Sequence, residues 1–364
     1  MKTSVLTKYY GEGYKTEEVN GCSVPLCYTN VEEEYEALRE KIGIIDGIGY
    51  GVINVSGDGA ADYLDSLASK DIKYMNIGTI SECLILDEEA DVLGIVFIER
   101  IDYDYVVLIP PESAEAVTAW MQEKATDDVV LKDMTETKSL MFLEGHKSWK
   151  LVQEVLKVDV ETIPLRGLCE TKWNDADMVV SRIGRSGEYG YAILADDAAI
   201  EGLTKVLLDA KDFELKFVGS EAVDICMLEI RQPNLKYESK DAGDLFEMAM
   251  QWLIQYEKED YFGCDSMKEL FEQEKKMLSV GFICRDKKEL ADKAEVLFDD
   301  EVVGEVSYSK CSPKLGYVIG IAKIKDELAV SGIQLDAKDS EGTYKIETIS
   351  SPFLRPISWD EKME

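Results

Sequence analysis

Histidine is almost absent from this sequence: His146 is the only one among 364 residues. A Ser/His/Asp triad or a histidine-based metal centre would have to be built on that one side chain, so neither is expected. Long apolar runs are missing too. No stretch approaches the roughly 18 apolar residues of a spanning helix. The N-terminus runs from Met1-Lys2-Thr3-Ser4 into Tyr9-Tyr10-Gly11-Glu12 without the apolar core of a signal peptide. The expectation is a soluble, cytoplasmic protein with no membrane partner. Paired cysteine motifs are lacking. The eight cysteines, at 22, 27, 83, 169, 226, 264, 284 and 311, form no CxxC, which suits reduced thiols and argues against a zinc site. Basic residues are scarce: 40 against 73 acidic ones leave a net charge of −33. Such a chain repels nucleic acid unless it carries a basic stripe. Its densest basic cluster, Arg285-Asp286-Lys287-Lys288, is short and mixed in sign.

What the chain does have is enough apolar sequence, 46%, to bury a large core in two or three domains. Tyr35, Leu38 and Ile42 fall at helical spacing after Val31. Gly51 to Val55 reads as a strand, and a helix carrying Tyr63, Leu64 and Leu67 follows Ser56-Gly57-Asp58. Cys83–Leu86 and Val92–Phe97 flank a turn-like acidic segment and suggest a hairpin. Tyr105 to Ile109 is a strand ended by Pro110-Pro111. A second cycle runs from strand 140–143 through a helix at 149–156, strands 178–181 and 190–194, and helices near 198–209 and 219–231. This mixture predicts an α+β fold. A charged helical connector is expected at 268–276. Beyond it, strands at 278–284, 303–308, 316–323 and 343–349 predict a separate β domain. The segment from Asp286 to Asp300 is either an insertion or a barrel hairpin.

Three local patterns stand out. Arg182-Ile-Gly184-Arg185-Ser186-Gly187-Glu188-Tyr189-Gly190 places three glycines in seven residues, which marks either a structural turn or a ligand loop; it is not a P-loop or a dinucleotide fingerprint. Glu229 sits inside an apolar helix. A buried carboxylate needs a donor, so it is either capped from within or faces a pocket. Val303-Gly304-Glu305 and Ser312-Pro313-Lys314-Leu315-Gly316 form a strand and turn without chemistry of their own.

Taken in order, these segments resemble the aminomethyltransferase family, the T-protein of the glycine cleavage system. Glu34 to Asp46 is similar to its opening helix. Val55-Ser56-Gly57 and the helix after it are similar to its next unit. Arg182 to Tyr191 resembles its "R-T-G-Y-T-G-E-D-G-F", Ala222 to Glu229 its "A-R-D-x-L-R-L-E", Glu247 to Trp252 its "E-A-G-L-G-W", and Gly304 to Gly316 with Pro352-Phe353 its C-terminal barrel. The resemblance implies three domains in a ring around a folate channel. It divides the chain into a folate-binding region of two intertwined subdomains at 1–262, a connector at 263–277 and a β-barrel at 278–364. It implies tetrahydrofolate as cofactor, with Glu229 anchoring the pterin and Arg182, Arg231, Trp252 and Arg355 as further cofactor contacts; each arginine is equally suited to a surface ion pair.

The resemblance breaks at the chemistry. The family's catalytic aspartate falls on Gly94, its asparagine on Pro110, its loop tyrosine on Arg185 and a helix arginine on Met227. Tyr50 and Tyr189 are the remaining candidates to lend a proton or stack on a ring; Asp91 and Glu99 are the nearby acids. An iron–sulfur-assembly relative is not suggested, because Lys258 to Ser266 lacks its "K-G-C-Y-x-G-Q-E". Without the aspartate, the leading expectation is a methyl transferase that demethylates a small donor onto tetrahydrofolate. The alternatives are a glycine-cleavage aminomethyltransferase and a non-catalytic folate-binding protein. A lipoyl carrier protein is expected as partner only under the first alternative, and a charge of −33 slows docking to an acidic carrier.

Overall fold

The computed structural model describes residues 2–238, 244–286 and 289–363. Two sheets carry the N-terminal two-thirds. The first has six strands, in the order Leu168–Trp173, Ala176–Ser181, Gly190–Asp196, Lys138–Glu144, Ile42–Asp46, Leu215–Phe217. The second has five, in the order Ile80–Leu86, Val92–Arg100, Tyr105–Ile109, Gly51–Ser56, Val130–Asp133. The chain leaves the first sheet after Asp46, builds the second, and returns at Lys138. Pairing is antiparallel except where Leu215–Phe217 runs parallel to Ile42–Ile44. This mixed sheet-and-helix arrangement is the expected α+β class.

The two sheets pack face to face. Tyr50, Val52, Phe97, Val106 and Leu108 from one meet Leu140, Phe142, Ala192 and Leu194 from the other, all buried. Strand alternation turns the opposite residues outward, where helices cover them. Helices Ala60–Leu67 and Ala114–Glu123 cover the second sheet, and helix Asp197–Asp209 covers the first. A third pair, Val31–Glu40 and Ser220–Ile230, packs beside strand Ile42–Asp46. Asn30 caps the first of these helices, accepting from the Glu33 amide at 2.9 Å.

The C-terminal part is a closed barrel of six strands: Met277–Cys284, Tyr317–Lys325, Glu301–Ser312, Glu295–Phe298, Gln334–Asp339 and Gly342–Ile349. Two of these, Glu295–Phe298 and Gln334–Asp339, are not predicted from sequence. The first is short, and the second reads Gln-Leu-Asp-Ala-Lys-Asp, in which only two small or apolar side chains face inward. Glu295–Phe298 pairs with Glu301–Ser312, so the segment before Asp300 ends in a barrel hairpin. Lys287 and Lys288, in that segment and in the sequence's basic cluster, lie outside the described residues. The connector helix is shifted. It spans Cys264–Glu272, and Gln273 turns extended, so the helix ends four residues earlier than the charge pattern suggests, while the first barrel strand begins at Met277, one residue early.

One buried ion pair ties these parts together. Arg39, on helix Val31–Glu40, donates to Glu229 at 2.6 and 3.1 Å, to Glu188 at 3.2 Å and to the Ser186 carbonyl at 2.8 Å. Glu229 also accepts from Tyr35 at 2.8 Å and from Ser312 of the barrel. Arg39 and Glu229 are both essentially without solvent contact. Replacing Arg39 by methionine strands two carboxylates in a dry interior. R39M is expected to lose about 3–5 kcal/mol of stability, measured as a fall in the urea midpoint at constant slope.

Candidate functional site

The crossing from the first sheet to the second builds a cavity. Asp46 ends one strand and Gly51 begins the next, so four residues must reverse the chain between them. Gly49 takes φ +92°, a left-handed value that a side chain resists, and a Cβ there would press on Val24 and Pro111. The Gly47 amide donates to the Leu140 carbonyl and the Tyr50 amide to that of Gly47, at 2.9 and 3.1 Å. The turn thereby aims Tyr50 into the space between the sheets, with its ring 5.2 Å from that of Phe142.

That space is a cavity of about 530 Å³, open solvent included, walled by Tyr28, Tyr50, Phe142 and Pro111, with Asp46, Glu144, Arg185, Ser220 and Asp224 as its polar groups. Arg185 comes from the glycine loop and is held by Glu112 at 2.7 Å. Glu144 anchors the loop by accepting from the Arg185 and Ser186 amides at 3.0 and 2.8 Å. Asp224, on helix Ser220–Ile230, accepts one bond from Asn234 at 2.8 Å and one from Tyr237 at 2.9 Å, with the Lys236 ammonium at 3.8 Å. Each oxygen keeps a free lone pair. Burial pushes the Asp224 carboxyl up, partly offset by Lys236. Burial also pushes the Tyr50 phenol up to about 12, against the nearby Arg185 charge. Tyr50 therefore carries its proton at neutral pH and acts as a donor, not a base. The arrangement suits a flat heterocycle: aromatic faces to stack on, a carboxylate for an N–H edge, and a guanidinium for a carbonyl.

Of the residues singled out in the sequence, only Tyr50 lies here. Tyr189 lines a different cavity, with its hydroxyl donating to the Glu361 carbonyl at 2.6 Å. Arg182 shares that second cavity and donates to the Ile163 carbonyl at 2.7 Å. The pterin-anchoring role implied for Glu229 does not match its place: Tyr35, Ser312 and two Arg39 nitrogens use its four acceptor positions, so it is the internally capped acid of the two alternatives. Arg231 is likewise spent, forked onto Glu238 at 3.0 and 2.7 Å. Trp252 is half-exposed under the Lys70 ammonium, and Arg355 is an exposed partner of Asp360. Arg355 fits the surface ion-pair alternative, and Trp252 does not line the Tyr50 cavity. Asp224 and Arg185 are absent from the sequence-level list of site residues. The signal that flags Glu229, an acid within an apolar helix, applies equally to Asp224 five residues earlier.

The missing aspartate also looks different in three dimensions. Gly94 faces helix Ala114–Glu123, where a Cβ would lie 2.6 Å from Val117 and 2.7 Å from Ser113. It is a packing glycine. The opposite face at that point belongs to Ile95, packed among Leu84, Leu235 and Met248. Neither position offers a carboxylate. Asp91 is exposed at the hairpin turn. Glu99 shares Ile95's face but stands four strand residues away, about 13 Å. It is wholly buried, and the Ser181 hydroxyl is the group that eases its charge.

Residues 6–258 match the GCVT N-terminal domain, and residues 279–354 the glycine cleavage T-protein C-terminal barrel domain. The aminomethyltransferase of Bacillus subtilis is 24% identical over 358 residues, covering 97% of this chain and 99% of that protein. That of Alkaliphilus oremlandii is 27% identical over 357 residues, covering 97% of each. The crystal structure of glycine cleavage system aminomethyltransferase T from Bartonella henselae superposes with a TM-score of 0.89 at 18% identity over 98% of both chains, a likeness of fold.

Two outcomes follow from Gly94 and Glu99. Because the Gly94 slot is filled, G94D should destabilise the protein, by about 1–3 kcal/mol or more from overpacking, without placing an acid between the sheets; thermal unfolding reads the first effect. Burial pushes the Glu99 carboxyl from 4.5 up to about 7, the Ser181 hydroxyl offsetting it only in part. Between those values the folded chain holds a proton that the unfolded chain has lost. Stability contributed by this group is therefore lost as pH rises from 4.5 to 7, by about 3 kcal/mol in all. Urea unfolding at pH 5 and pH 8 should show a smaller decline for E99Q than for the parent; equal declines would contradict this.

Proposed function

The chain belongs to the glycine cleavage T-protein family, a family of folate-dependent one-carbon-group transferases, and on that footing we propose that it moves an aminomethyl-borne carbon onto tetrahydrofolate held in the Tyr50 cavity. The observation that carries this reading is the cavity's composition. Three aromatic rings, a carboxylate with spare lone pairs and a guanidinium converge where the two sheets meet. Tetrahydrofolate, when bound, supplies the nitrogens that accept the carbon.

The chain's own residues do the rest. Tyr28, Tyr50 and Phe142 exclude water and sandwich the ring. Asp224 would accept from the pterin's amide-like edge, and Arg185, steadied by Glu112, would donate to its carbonyl. Tyr50 stands protonated beside them and is placed to hand a proton to a leaving group. The relatives named aminomethyltransferase cover this chain almost end to end, which favours aminomethyl transfer over demethylation. The lipoyl carrier protein is then the donor's vehicle, and the charge of −33 predicts slow, salt-assisted docking to an acidic carrier.

One observation favours a second reading. With glycine and isoleucine at positions 94 and 95, no carboxylate stands at that point of the strand to stabilise an iminium-like cation. Methyl transfer from a small-molecule donor needs only alignment and a proton for the leaving group.

Purified protein with tetrahydrofolate decides between them. Methylene-tetrahydrofolate made from glycine with the cleavage partners supports aminomethyl transfer. Methyl-tetrahydrofolate made from methoxy, methylthio or methylamine donors supports the second reading. Under either, Y50A and D224N should each weaken tetrahydrofolate binding about tenfold, or 1.4 kcal/mol. Unchanged affinity in both variants, measured by calorimetry, would remove folate from this cavity.

A further inference from the structure

The two facing sheets part at the end away from Tyr50, and a cavity of about 660 Å³, open solvent included, lies in the gap. It shares no lining residue with the Tyr50 cavity, and the proposed reaction does not use it. We propose that this cavity binds a small apolar amine in its protonated form, with Glu170 as charge partner of the ammonium and Val106, Met134, Val179 and Leu194 around the hydrocarbon part.

The strand pattern makes the gap. Every second residue of a strand faces the opposite sheet. Val52, Leu140, Leu168 and Leu194 hold such inward positions and are buried. The next inward position toward this end is polar in each strand: Asn54, Lys138, Glu170 and Asp196. Charged and amide groups resist losing their water, so the sandwich does not close over them. Ile101, Met134 and Val179 pack on the inter-sheet core yet stay partly exposed. The result is an apolar floor beneath a polar mouth, the usual form of a small-molecule site.

Glu170 is the reason for a cation. It crosses the gap to accept from the Asp102 amide of the second sheet at 3.1 Å, which holds its carboxylate at the mouth with lone pairs to spare. Among the described residues, no lysine or arginine nitrogen lies within 4 Å of it. The neighbouring lysines are already answered, Lys138 by Asp196 at 2.8 Å and Lys172 by Asp177 at 2.7 Å. Asn54 spends its side-chain nitrogen on Asp104 at 3.3 Å and on the Tyr105 carbonyl at 3.4 Å, so its amide oxygen is a second acceptor for an N–H donor.

Other guests fit less well. An anion would meet Glu170 and Asp177 at the mouth. Behind the floor it would meet Glu99, the strand partner of Val106, whose charge the Ser181 hydroxyl eases only in part. A neutral hydrocarbon would fill the floor and leave Glu170 unanswered. A bare metal ion would leave the floor empty. A short branched or cyclic hydrocarbon carrying one ammonium matches both parts.

The test uses the full chain and methionine-methyl NMR, with Met134 as reporter, identified by the signal that disappears in M134L. Isopentylamine is the probe, isopentanol its neutral match and isovalerate its anionic one. The amine is expected to shift the Met134 signal and, at low salt, to bind about fivefold more tightly than the alcohol. Isovalerate should bind most weakly, and added salt should narrow the differences. E170Q should bring the amine down to the alcohol, and E170D should keep part of the preference. Equal affinity of amine and alcohol for the parent protein, a comparison that needs no variant to fold, would overturn the proposal. So would an undiminished preference in E170Q, or amine binding that leaves Met134 unmoved. Displacement of the amine by saturating tetrahydrofolate would also overturn it, by joining the two cavities into one site; failure of folate to bind, with the amine preference intact, would instead count only against the proposed reaction.

Discussion

The pairing of Arg39 with Glu229 is the constraint on which the rest of the molecule depends. Arg39 reaches across from the first long helix to the helix Ser220–Ile230 and to the glycine loop, and Glu229 in turn accepts from Ser312 of the barrel. Four parts of the chain that are distant in sequence are fixed to one fully desolvated charge pair. Such a pair contributes little net stability compared with well-packed apolar groups, because both charges must be stripped of water. Its value is positional. A charge with no solvent has one tolerable place to be, and every element that touches it is placed accordingly.

The Tyr50 cavity follows from that placement. The glycine loop is pinned on one side by Arg39, through the Ser186 carbonyl and Glu188, and on the other by Glu144, which accepts the loop's amides. Between those anchors the loop presents Arg185 to one cavity and Arg182 to another. Helix Ser220–Ile230, which carries Glu229, also carries Asp224, and Asp224 lines the same cavity as Arg185. Two residues with no sequence relation are thereby brought to opposite walls of one space, and a tight turn at Gly49 adds Tyr50 between them. The polar groups of the cavity are positioned by hydrogen bonds to neighbouring side chains and backbone.

The strand that bears Gly94 shows how a protein keeps a family's architecture while changing its interior. The residue against the helix is glycine because Ser113 and Val117 leave no room, and the residue on the opposite face is isoleucine. The acid retained further along, Glu99, is eased only in part by the Ser181 hydroxyl, and burial raises its carboxyl above the ordinary range.

Much of the framework was legible in the residues. Periodicity of 2 and 3.6 placed most strands and helices, and ordered resemblance across the chain identified the fold, because these signals are local and survive wide divergence. Strands with little apolar content, such as Gln334–Asp339, were not legible, since only closure of the barrel makes them strands. The site was legible in part. Tyr50 lines the cavity between the sheets, while Glu229, Arg231 and Arg355 are engaged by internal or surface partners. A sequence shows that a buried acid needs donors; it does not show whether those donors come from the protein or from a ligand. That is settled only by which side chains converge in space, and convergence is a property of the tertiary structure: Arg39 took Glu229 out of play, and the same contact set Arg185 and Asp224 facing one another.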